Sequence, residues 1–308
     1  MEQSEISKID VWKMAIRPHT LPAAIGPVLV GAGFAITVNQ FRLFPSLAAL
    51  IGAVFLQILS NLGNDYYDFL KGYDTKDRVG FTRTAASGLL SIKELKLGIL
   101  INIILAVLTG IYILFSVLGY SIFGVNGVVV IITIGVLSII FSLLYSGGPY
   151  PLSVLGLGDV FVLIFFGFFA VMGTYFVNTG SLSYAVFIGS FAPGFLITAI
   201  LVVNNYRDYE SDKAVGKNTL IVRFGQRFGQ TEYFLLLLIP YIILFILFFF
   251  YENFSIFIFL PILTLWMAKK NLSELNPNTP KERLNPLLGK TAKLSMYFSI
   301  LFAIGLAI

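Results

Sequence analysis

Residues 43–68 read LFPSLAALIGAVFLQILSNLGNDYYD, an uncharged apolar run that ends in carboxylates. A helix needs about 20 apolar residues to cross a bilayer, and this run supplies them. Residues 183–208, SYAVFIGSFAPGFLITAILVVNNYRD, repeat the arrangement with a second Asn/Asp pentad at the end. Carboxylates in hydrocarbon are costly, about 2.5–3.5 kcal/mol each on insertion scales. A chain that places them beside a membrane span twice therefore indicates a membrane protein that uses those acids.

The composition predicts a polytopic membrane protein with a single membrane-embedded domain over residues 1–308. Hydrophobic residues make up 57% of the chain and charged residues only 12%, whereas soluble domains carry about 25% charged residues. Apolar runs of spanning length predict an all-α bundle of nine transmembrane helices. The predicted spans are about 19–38, 43–62, 97–119, 127–145, 158–178, 183–205, 233–251, 254–270 and 291–308. Zero cysteines exclude disulfides and thiolate chemistry.

The basic residues predict the orientation of these spans. With nine spans, 20 of the 21 Lys and Arg residues fall on the side of the N-terminus, and Arg42 alone lies opposite. The positive-inside bias assigns that side, and the N-terminus, to the cytoplasm. The net charge of +5 is therefore a field on one membrane face and no indication of nucleic-acid binding.

The two pentads carry side chains that bind Mg²⁺, because acids and amides are hard oxygen ligands. If span two continues helically past its apolar core, Asn64 and Asp68 lie four residues apart on one face. The same holds for Asn204, Asp208 and Asp212 after span six, which form one polar stripe. In addition, Asn61 and Asp65 share a face, and Gly72 permits a turn that returns Asp74 to the first group.

Counter-ions are needed wherever so many acids meet, and bases flank both motifs. The bases are Lys71, Arg78, Arg83, Arg207, Lys213 and Lys217. Carboxylates, Mg²⁺ and bases together predict a site for a diphosphate at the cytoplasmic face. Loss of pyrophosphate from a polyprenyl diphosphate would leave an allylic cation, which needs a dry, aromatic pocket. The plainer interpretation is two solvated loops whose charges merely pair.

The chain resembles the UbiA-type intramembrane prenyltransferases, in particular the branch that acts on 1,4-dihydroxy-2-naphthoate. The segments that carry the resemblance are RPHTLPA (17–23), PVLVG (27–31), NDYYD (64–68) with Gly72 and Asp74, Arg78, Arg83, YSGGP (145–149), GLGD (156–159), NNYRD (204–208) with Asp212, GKNTL (216–220) and NPLL (285–288). The third acid of motif one is Asp74, as in the naphthoate branch. Phe81 stands where the family pattern has proline.

The resemblance implies a nine-helix bundle around a central cavity, two Mg²⁺ ions, loss of pyrophosphate and alkylation of an aromatic ring. The implied catalytic residues are Asp65, Asp68, Asp208 and Asp212. The metal ligands are Asn64, Asp65, Asp68, Asp74, Asp208 and Asp212. The substrate-binding residues are Arg17, His19, Asn61, Arg78, Arg83, Tyr145, Asn204, Arg207, Lys213 and Lys217. Asp159 is a further candidate to ionise the acceptor phenol.

These observations predict a plasma-membrane enzyme that joins a polyprenyl diphosphate to 1,4-dihydroxy-2-naphthoate, releases CO₂ and yields demethylmenaquinone. Two alternatives stay open: the same chemistry on 4-hydroxybenzoate or homogentisate, and a carrier of phosphorylated lipids or anions. A carrier favours charges in mid-membrane, whereas these acids cluster at one face. The Asp-Gly-x-x-Ala-Arg signature of CDP-alcohol phosphotransferases is missing.

Overall fold

The computed structural model describes residues 6–74, 82–252, 254–276 and 278–308, which are almost entirely helical. The α-helices are α1 (Lys8–Ile16), α2 (Pro22–Thr37), α3 (Leu43–Leu70), α4 (Ile92–Ser116), α5 (Gly127–Leu144), α6 (Leu152–Leu155), α7 (Gly158–Val162), α8 (Ala170–Thr179), α9 (Tyr184–Arg207), α10 (Tyr209–Ala214), α11 (Leu220–Phe224), α12 (Gln226–Phe250), α13 (Leu265–Glu274) and α14 (Lys281–Ala307). Two 3₁₀ segments (Pro18–Thr20 and Ile256–Thr264) and a π-helix (Leu163–Phe169) join them. The strands in these ranges, Ser121–Ile122 and Val125–Asn126, form one antiparallel pair. The all-α fold class is confirmed.

The number of membrane-spanning helices agrees with the sequence prediction. Within the described residues, eight helices are long and apolar enough to cross a bilayer. A ninth span results if the segments Lys8–Thr20 and Pro22–Thr37, which meet at an angle of 45°, are counted together. The predicted span 291–308 lies almost entirely within α14, which begins ten residues earlier, at Lys281. Its first turns are polar but bury Leu284, Leu287 and Leu288 against the protein.

Helix α9 lies at the centre of the bundle and packs against α2, α12 and α14. Its apolar window is 67% buried, whereas the windows of α4 and α5 are each 11% buried. Helices α4 and α5 therefore present most of their apolar surface to lipid, and α3 packs against both of them. Helix α9 ends in the second acidic motif, so that motif stands on the most enclosed helix of the bundle.

Two glycines allow the π-helix to cross α9 at close range. A Cβ atom on Gly194 would lie 2.8 Å from the Cα of Gly167 and the same distance from the side chain of Leu163. Small residues let helix backbones approach in a membrane. The wider π-turn follows directly after α7 and adds phenylalanines to the wall of the cavity described below.

A polar network ties the helix ends at the face opposite the acidic motifs. The backbone N–H of Arg42 donates to Asn178 Oδ1 (2.6 Å), and its guanidinium donates to Ser116 O (2.9 Å) and to the Tyr120 hydroxyl (3.0 Å). Asn178 also donates to Ser46 Oγ (2.9 Å). Neutral groups thus satisfy the backbone N–H and the guanidinium of Arg42 at this end of the bundle.

Candidate active site

The first acidic motif surrounds Asp65, which is fully buried in the last turns of α3. Asp65 Oδ1 accepts from the guanidinium groups of Arg17 and Arg83, the latter at 2.8 Å. Asp65 Oδ2 accepts from the backbone N–H (3.1 Å) and the hydroxyl (2.8 Å) of Thr84. An ionised carboxylate has about four lone-pair sites, and four donors use them here. Asp65 therefore holds the guanidinium groups of Arg17 and Arg83 in place. Its role as a metal ligand stays a prediction.

Arg83 joins the three acids of this motif. Its guanidinium lies 3.1 Å from Asp68 Oδ2 and 3.3 Å from Asp74 Oδ1, in addition to Asp65. Burial alone would lower the pKa of Arg83, but the carboxylates of Asp68, Asp65 and Asp74 raise this pKa above its ordinary value. The group thus stays a cation in the middle of the motif. Arg78 lies outside the described residues, as does Phe81.

Asp68 keeps one oxygen that the protein does not satisfy. Its Oδ1 is buried and has no hydrogen-bond partner among the described residues. The turn predicted at Gly72 is confirmed: this glycine has a φ of 68°, and the backbone N–H of Tyr73 donates to Asp68 O (3.0 Å). The turn carries Asp74 back to Arg83, and it therefore places Asp74 in the same group as Asp68.

The second acidic motif is built around Arg207, the last residue of α9. Its guanidinium donates to both carboxylate oxygens of Asp208 (2.7 Å each), to Asn204 Oδ1 (2.8 Å) and to Asn285 Oδ1 of α14 (2.7 Å). The arginine is only 2% exposed. Its guanidinium is held by Asp208, Asn204 and Asn285. The predicted contact of Arg207 with a diphosphate stays a prediction.

The predicted stripe along the second motif is continuous in the backbone. The N–H of Asp208 donates to Asn204 O (3.0 Å), and the N–H of Asp212 donates to Asp208 O (2.8 Å). Helical hydrogen bonding therefore passes from α9 into α10 although the helix axis breaks at Asp208. Asp212 lies 3.7 Å from Lys217 Nζ. Lys213 is exposed, with its ammonium group 6.0 Å from the centre of the Tyr209 ring.

The two motifs face the same place. Lys217, which pairs with Asp212, also lies over the ring of Tyr73 at 5.1 Å from its centre, and Tyr73 precedes Asp74. Lys217 therefore lies against groups of both motifs, and the ends of α3 and α9 meet at this side chain. This meeting of the two motifs is the central geometric fact of the site.

The loop between α5 and α7 joins the two motifs. Ser146 Oγ donates to Asn64 Oδ1 (2.8 Å) and Lys71 Nζ donates to Ser146 O (3.0 Å) on the side of the first motif. On the side of the second motif, the backbone N–H of Asn218 donates to Val154 O (2.8 Å). One short segment therefore sets the distance between the ends of α3 and α9.

The N-terminal segment closes the site from the other side. Asn61 Nδ2 donates to Ile16 O (2.8 Å) and to Thr20 Oγ1 (2.9 Å), which anchors the break between α1 and α2. Arg17 lies at this break with a φ of 56°, a left-handed value that is uncommon outside glycine. His19 is exposed, and its contact with substrate stays a prediction.

An apolar cavity of about 380 Å³ opens between α2, α3, α4, α5 and the π-helix. Phenylalanines line part of it: the ring centre of Phe141 lies 4.8 Å from that of Phe161 and 5.3 Å from that of Phe165, and Phe165 lies 5.1 Å from Phe169. Tyr145 lines the cavity too, and the next residue, Ser146, donates to Asn64 Oδ1 of the first motif. An aromatic space thus adjoins the first motif.

The oxygen groups at this mouth fit a divalent cation. Asp68 offers a buried oxygen without a hydrogen bond, and Asn64 lies with it near the end of α3. The carboxylates of Asp208 and Asp212 follow the end of α9. The C-terminal ends of α3 and α9 carry partial negative charge, which also favours a cation. Within the described ranges, no three His, Cys, Asp or Glu side chains form a compact metal cluster. Protein sites usually hold Mg²⁺ with one or two carboxylates and substrate phosphates, and Asp68 would supply one such carboxylate.

Comparison with known proteins identifies the family. The model of the UbiA prenyltransferase family matches residues 24–297. The chain belongs to the UbiA prenyltransferase family. Two proteins named 1,4-dihydroxy-2-naphthoate octaprenyltransferase are similar along nearly their whole length: that of Escherichia coli (strain K12) is 34% identical, over 99% of this chain and 98% of that protein. That of Haemophilus influenzae is 32% identical, over 98% and 97%.

Solved UbiA structures share the fold. A UbiA homolog from Archaeoglobus fulgidus bound to GPP and Mg²⁺ aligns with a TM-score of 0.66 at 20% identity, over 95% of this chain and 99% of that chain. The apo structure of a homolog from Aeropyrum pernix K1 aligns with a TM-score of 0.65 at 11% identity, over 92% and 96%. The chain is thus a membrane prenyltransferase with the helical bundle of its family.

Sequence reasoning missed three residues of this UbiA prenyltransferase site. Thr84 binds Asp65 through two donors, and Asn285 binds Arg207 across the bundle. Neither contact has a periodic signal, because each joins residues that are distant in sequence. Gln57 is different: it is an amide in the apolar run of span two, one helical turn before Asn61. A polar residue inside a span is itself a signal of function.

Proposed function

We propose that this chain transfers a polyprenyl group from a polyprenyl diphosphate to 1,4-dihydroxy-2-naphthoate. The observation that carries the proposal is that both acidic motifs meet at Lys217, which lies 3.7 Å from Asp212 and over the ring of Tyr73, near an apolar cavity lined by Tyr145. Two similar relatives bear the name of that octaprenyltransferase activity, and a homolog of the same fold was solved with GPP and Mg²⁺. The site would lie at the cytoplasmic face of the plasma membrane, where the basic residues cluster.

The chain's own groups would bind the diphosphate and its metal. We assign one ion to Asn64, Asp68 and Asp74, and a second to Asp208 and Asp212. When bound, Mg²⁺ would bridge these oxygens to the diphosphate and neutralise charge on the departing pyrophosphate. We assign Asp65 mainly to the placement of Arg17 and Arg83, because four donors already occupy it.

Basic groups would bind the diphosphate oxygens that remain. Arg83 and Arg17 stand on the side of the first motif, and Lys217 stands between the motifs. Charge-assisted hydrogen bonds from such groups are about twice as strong as neutral ones. Arg207, which the protein holds through three residues, would keep Asp208 in position.

The cavity would hold the first part of the isoprenoid tail and keep water from the reacting carbon. The bond between C1 of the tail and the diphosphate oxygen breaks, and pyrophosphate leaves with the electron pair. The Phe-lined wall offers π-faces to the allylic cation. The carboxyl-bearing ring carbon then forms the new C–C bond. The carboxyl group leaves as CO₂ and returns its bonding electrons to the ring, which gives demethylmenaquinone in its quinol form.

Product mass spectrometry tests the proposal. Purified protein is incubated with Mg²⁺, a polyprenyl diphosphate, and 1,4-dihydroxy-2-naphthoate together with 4-hydroxybenzoate. We expect a prenylated naphthoquinol that has lost CO₂, with one pyrophosphate released per product. A prenylated benzoate as the main product would move the assignment to the other acceptor. Transport of the diphosphate without pyrophosphate release would overturn the enzyme assignment in favour of a carrier.

A further inference from the structure

Gln57 lines the cavity and carries a carbonyl oxygen without a hydrogen bond. This glutamine of α3 is 9% exposed. Its Oε1 atom is buried and has no hydrogen-bond partner in the described part of the chain. A buried acceptor without a donor loses its hydrogen bonds to water without replacement. Such an oxygen beside a ligand cavity therefore points to a donor that the ligand brings.

The orientation of the Gln57 amide follows from the hydrogens of its neighbours. Gln57 Nε2 donates to Thr20 Oγ1 (3.1 Å) and to Asn61 Oδ1 (3.4 Å). The hydroxyl hydrogen of Thr20 goes to Arg17 O (2.9 Å), so Thr20 Oγ1 can only accept from the amides. A flipped Gln57 would set its carbonyl oxygen against two acceptors. The contacts thus fix Oε1 on the side away from Thr20.

The position of Gln57 along α3 indicates which part of the substrates it meets. Gln57 and Asp68 are eleven residues apart, which is three helical turns and about 16 Å of axis, so they lie on the same face. A diphosphate held at Asp68 ends well before Gln57. The groups beyond the diphosphate are the isoprenoid tail and the aromatic acceptor. The tail is a hydrocarbon without donors, whereas the acceptor carries hydroxyl groups.

We infer that Gln57 Oε1 accepts a hydrogen bond from a ring hydroxyl of the aromatic acceptor and so determines acceptor specificity. The inference rests on the proposed function, because it needs a hydroxylated aromatic acceptor in this cavity. A site built to bind a hydroxyl rejects the analogue that lacks it, since the buried oxygen is then left unsatisfied. Gln57 would therefore favour acceptors that carry the bound hydroxyl over analogues that lack it.

Acceptor kinetics of Gln57→Met test this contact, with Gln57→Leu as a second variant if the first does not fold. Both variants replace the amide with an apolar side chain of similar size. We expect the KM for 1,4-dihydroxy-2-naphthoate to rise about 10-fold, the equivalent of one lost hydrogen bond. The KM for the polyprenyl diphosphate should stay within about 2-fold. Ser138→Ala, which removes a hydroxyl of α5 from the lining of the same cavity, is the matched control.

Monohydroxy analogues separate a specificity contact from a general change of the cavity. The inhibition constants of 1-hydroxy-2-naphthoate and 4-hydroxy-2-naphthoate are measured on wild type and on Gln57→Met. The analogue that lacks the bound hydroxyl should bind equally to both proteins. The inference is overturned if both analogues and the dihydroxy acceptor lose affinity by the same factor, or if none does.

Failure of the proposed function is visible in the same assay. If wild type prenylates 4-hydroxybenzoate instead of the naphthoate, the proposed acceptor is wrong. The Gln57 variants are then compared on that phenol, where the same 10-fold rise in KM is expected. If wild type prenylates no hydroxylated acceptor, both the function and the Gln57 contact are wrong.

Discussion

The two acidic motifs resemble each other in sequence but obtain their counter-ions in different ways. Motif one, Asn64 to Asp74, is neutralised by Arg17 and Arg83, which lie 48 residues before and 18 residues after Asp65. Motif two, Asn204 to Asp212, is neutralised by its own Arg207. Arg83 stands in the connection between α3 and α4, whereas Arg207 belongs to the last turn of α9.

Because of this difference, Arg83 is free to change partners when a ligand binds, whereas Arg207 stays with its protein partners. Arg83 lies outside the helices, so it can move from the carboxylates to a diphosphate without unwinding a helix. Arg207 is enclosed by Asn204, Asp208 and Asn285, and its movement would break contacts between α9 and α14. Motif one therefore has a carboxylate oxygen without a hydrogen bond, whereas both carboxylate oxygens of Asp208 in motif two accept from Arg207.

The largest expected effect is the loss of transfer activity in Asp68→Asn. This change removes the charge on the buried oxygen that lacks a hydrogen bond. Loss of such an electrostatic contact costs about 10²–10³-fold in kcat. Initial rates of pyrophosphate release measure it, with the exposed Asp10→Asn as control. Activity within 10-fold of wild type would contradict the assignment of motif one.

A large loss of stability is expected for Arg207→Gln. The change leaves the buried Asp208 without its guanidinium, and a broken buried pair costs about 3–5 kcal/mol. The thermal unfolding midpoint in detergent should fall, with or without Mg²⁺. Lys13→Gln, which breaks an exposed pair with Asp10, should leave the midpoint almost unchanged. Equal midpoints for Arg207→Gln and wild type would show that the two motifs do not differ in this way.

For Arg83→Gln we expect a smaller effect than for Arg207→Gln, and a gain of stability when Mg²⁺ is added. Without this guanidinium, three carboxylates lie together with less positive charge, so they should attract a divalent cation more strongly. Mg²⁺ alone should therefore raise the unfolding midpoint of Arg83→Gln by more than it raises that of wild type. An identical shift in both proteins would mean that Arg83 does not compete with the cation.

The sequence predicted the spans, the all-α class and the helical stripes because these depend on local periodicity. Gly72 indicated the turn after motif one. The sequence also predicted that Asp74 returns to motif one. It could not predict that Thr84 binds Asp65, or that Asn285 binds Arg207, since such contacts depend on helix packing. The early start of α14 was missed for a similar reason: its first turns are polar in sequence and become buried only against their neighbours.

The smallest expected effect concerns the contact between the loops of the two motifs. Tyr73→Leu removes the ring beneath the ammonium group of Lys217. Such a contact is worth about 0.5–1 kcal/mol, so kcat/KM for the diphosphate should fall about 2- to 5-fold. Tyr209→Leu, which removes the ring near Lys213 within motif two, is the matched control and should change kcat/KM less. Equal effects would indicate that the loop contact between motifs carries no function.

The most direct test of the joint site is a double-mutant cycle on diphosphate binding. Affinity for an unreactive polyprenyl diphosphate analogue is measured in Mg²⁺ and in EDTA for wild type, Asp68→Asn, Asp208→Asn and the double variant. If both motifs hold one metal–diphosphate complex, either single change removes most of the Mg²⁺-dependent affinity and the double variant loses little more. Additive losses, or full affinity of wild type in EDTA, would contradict the account.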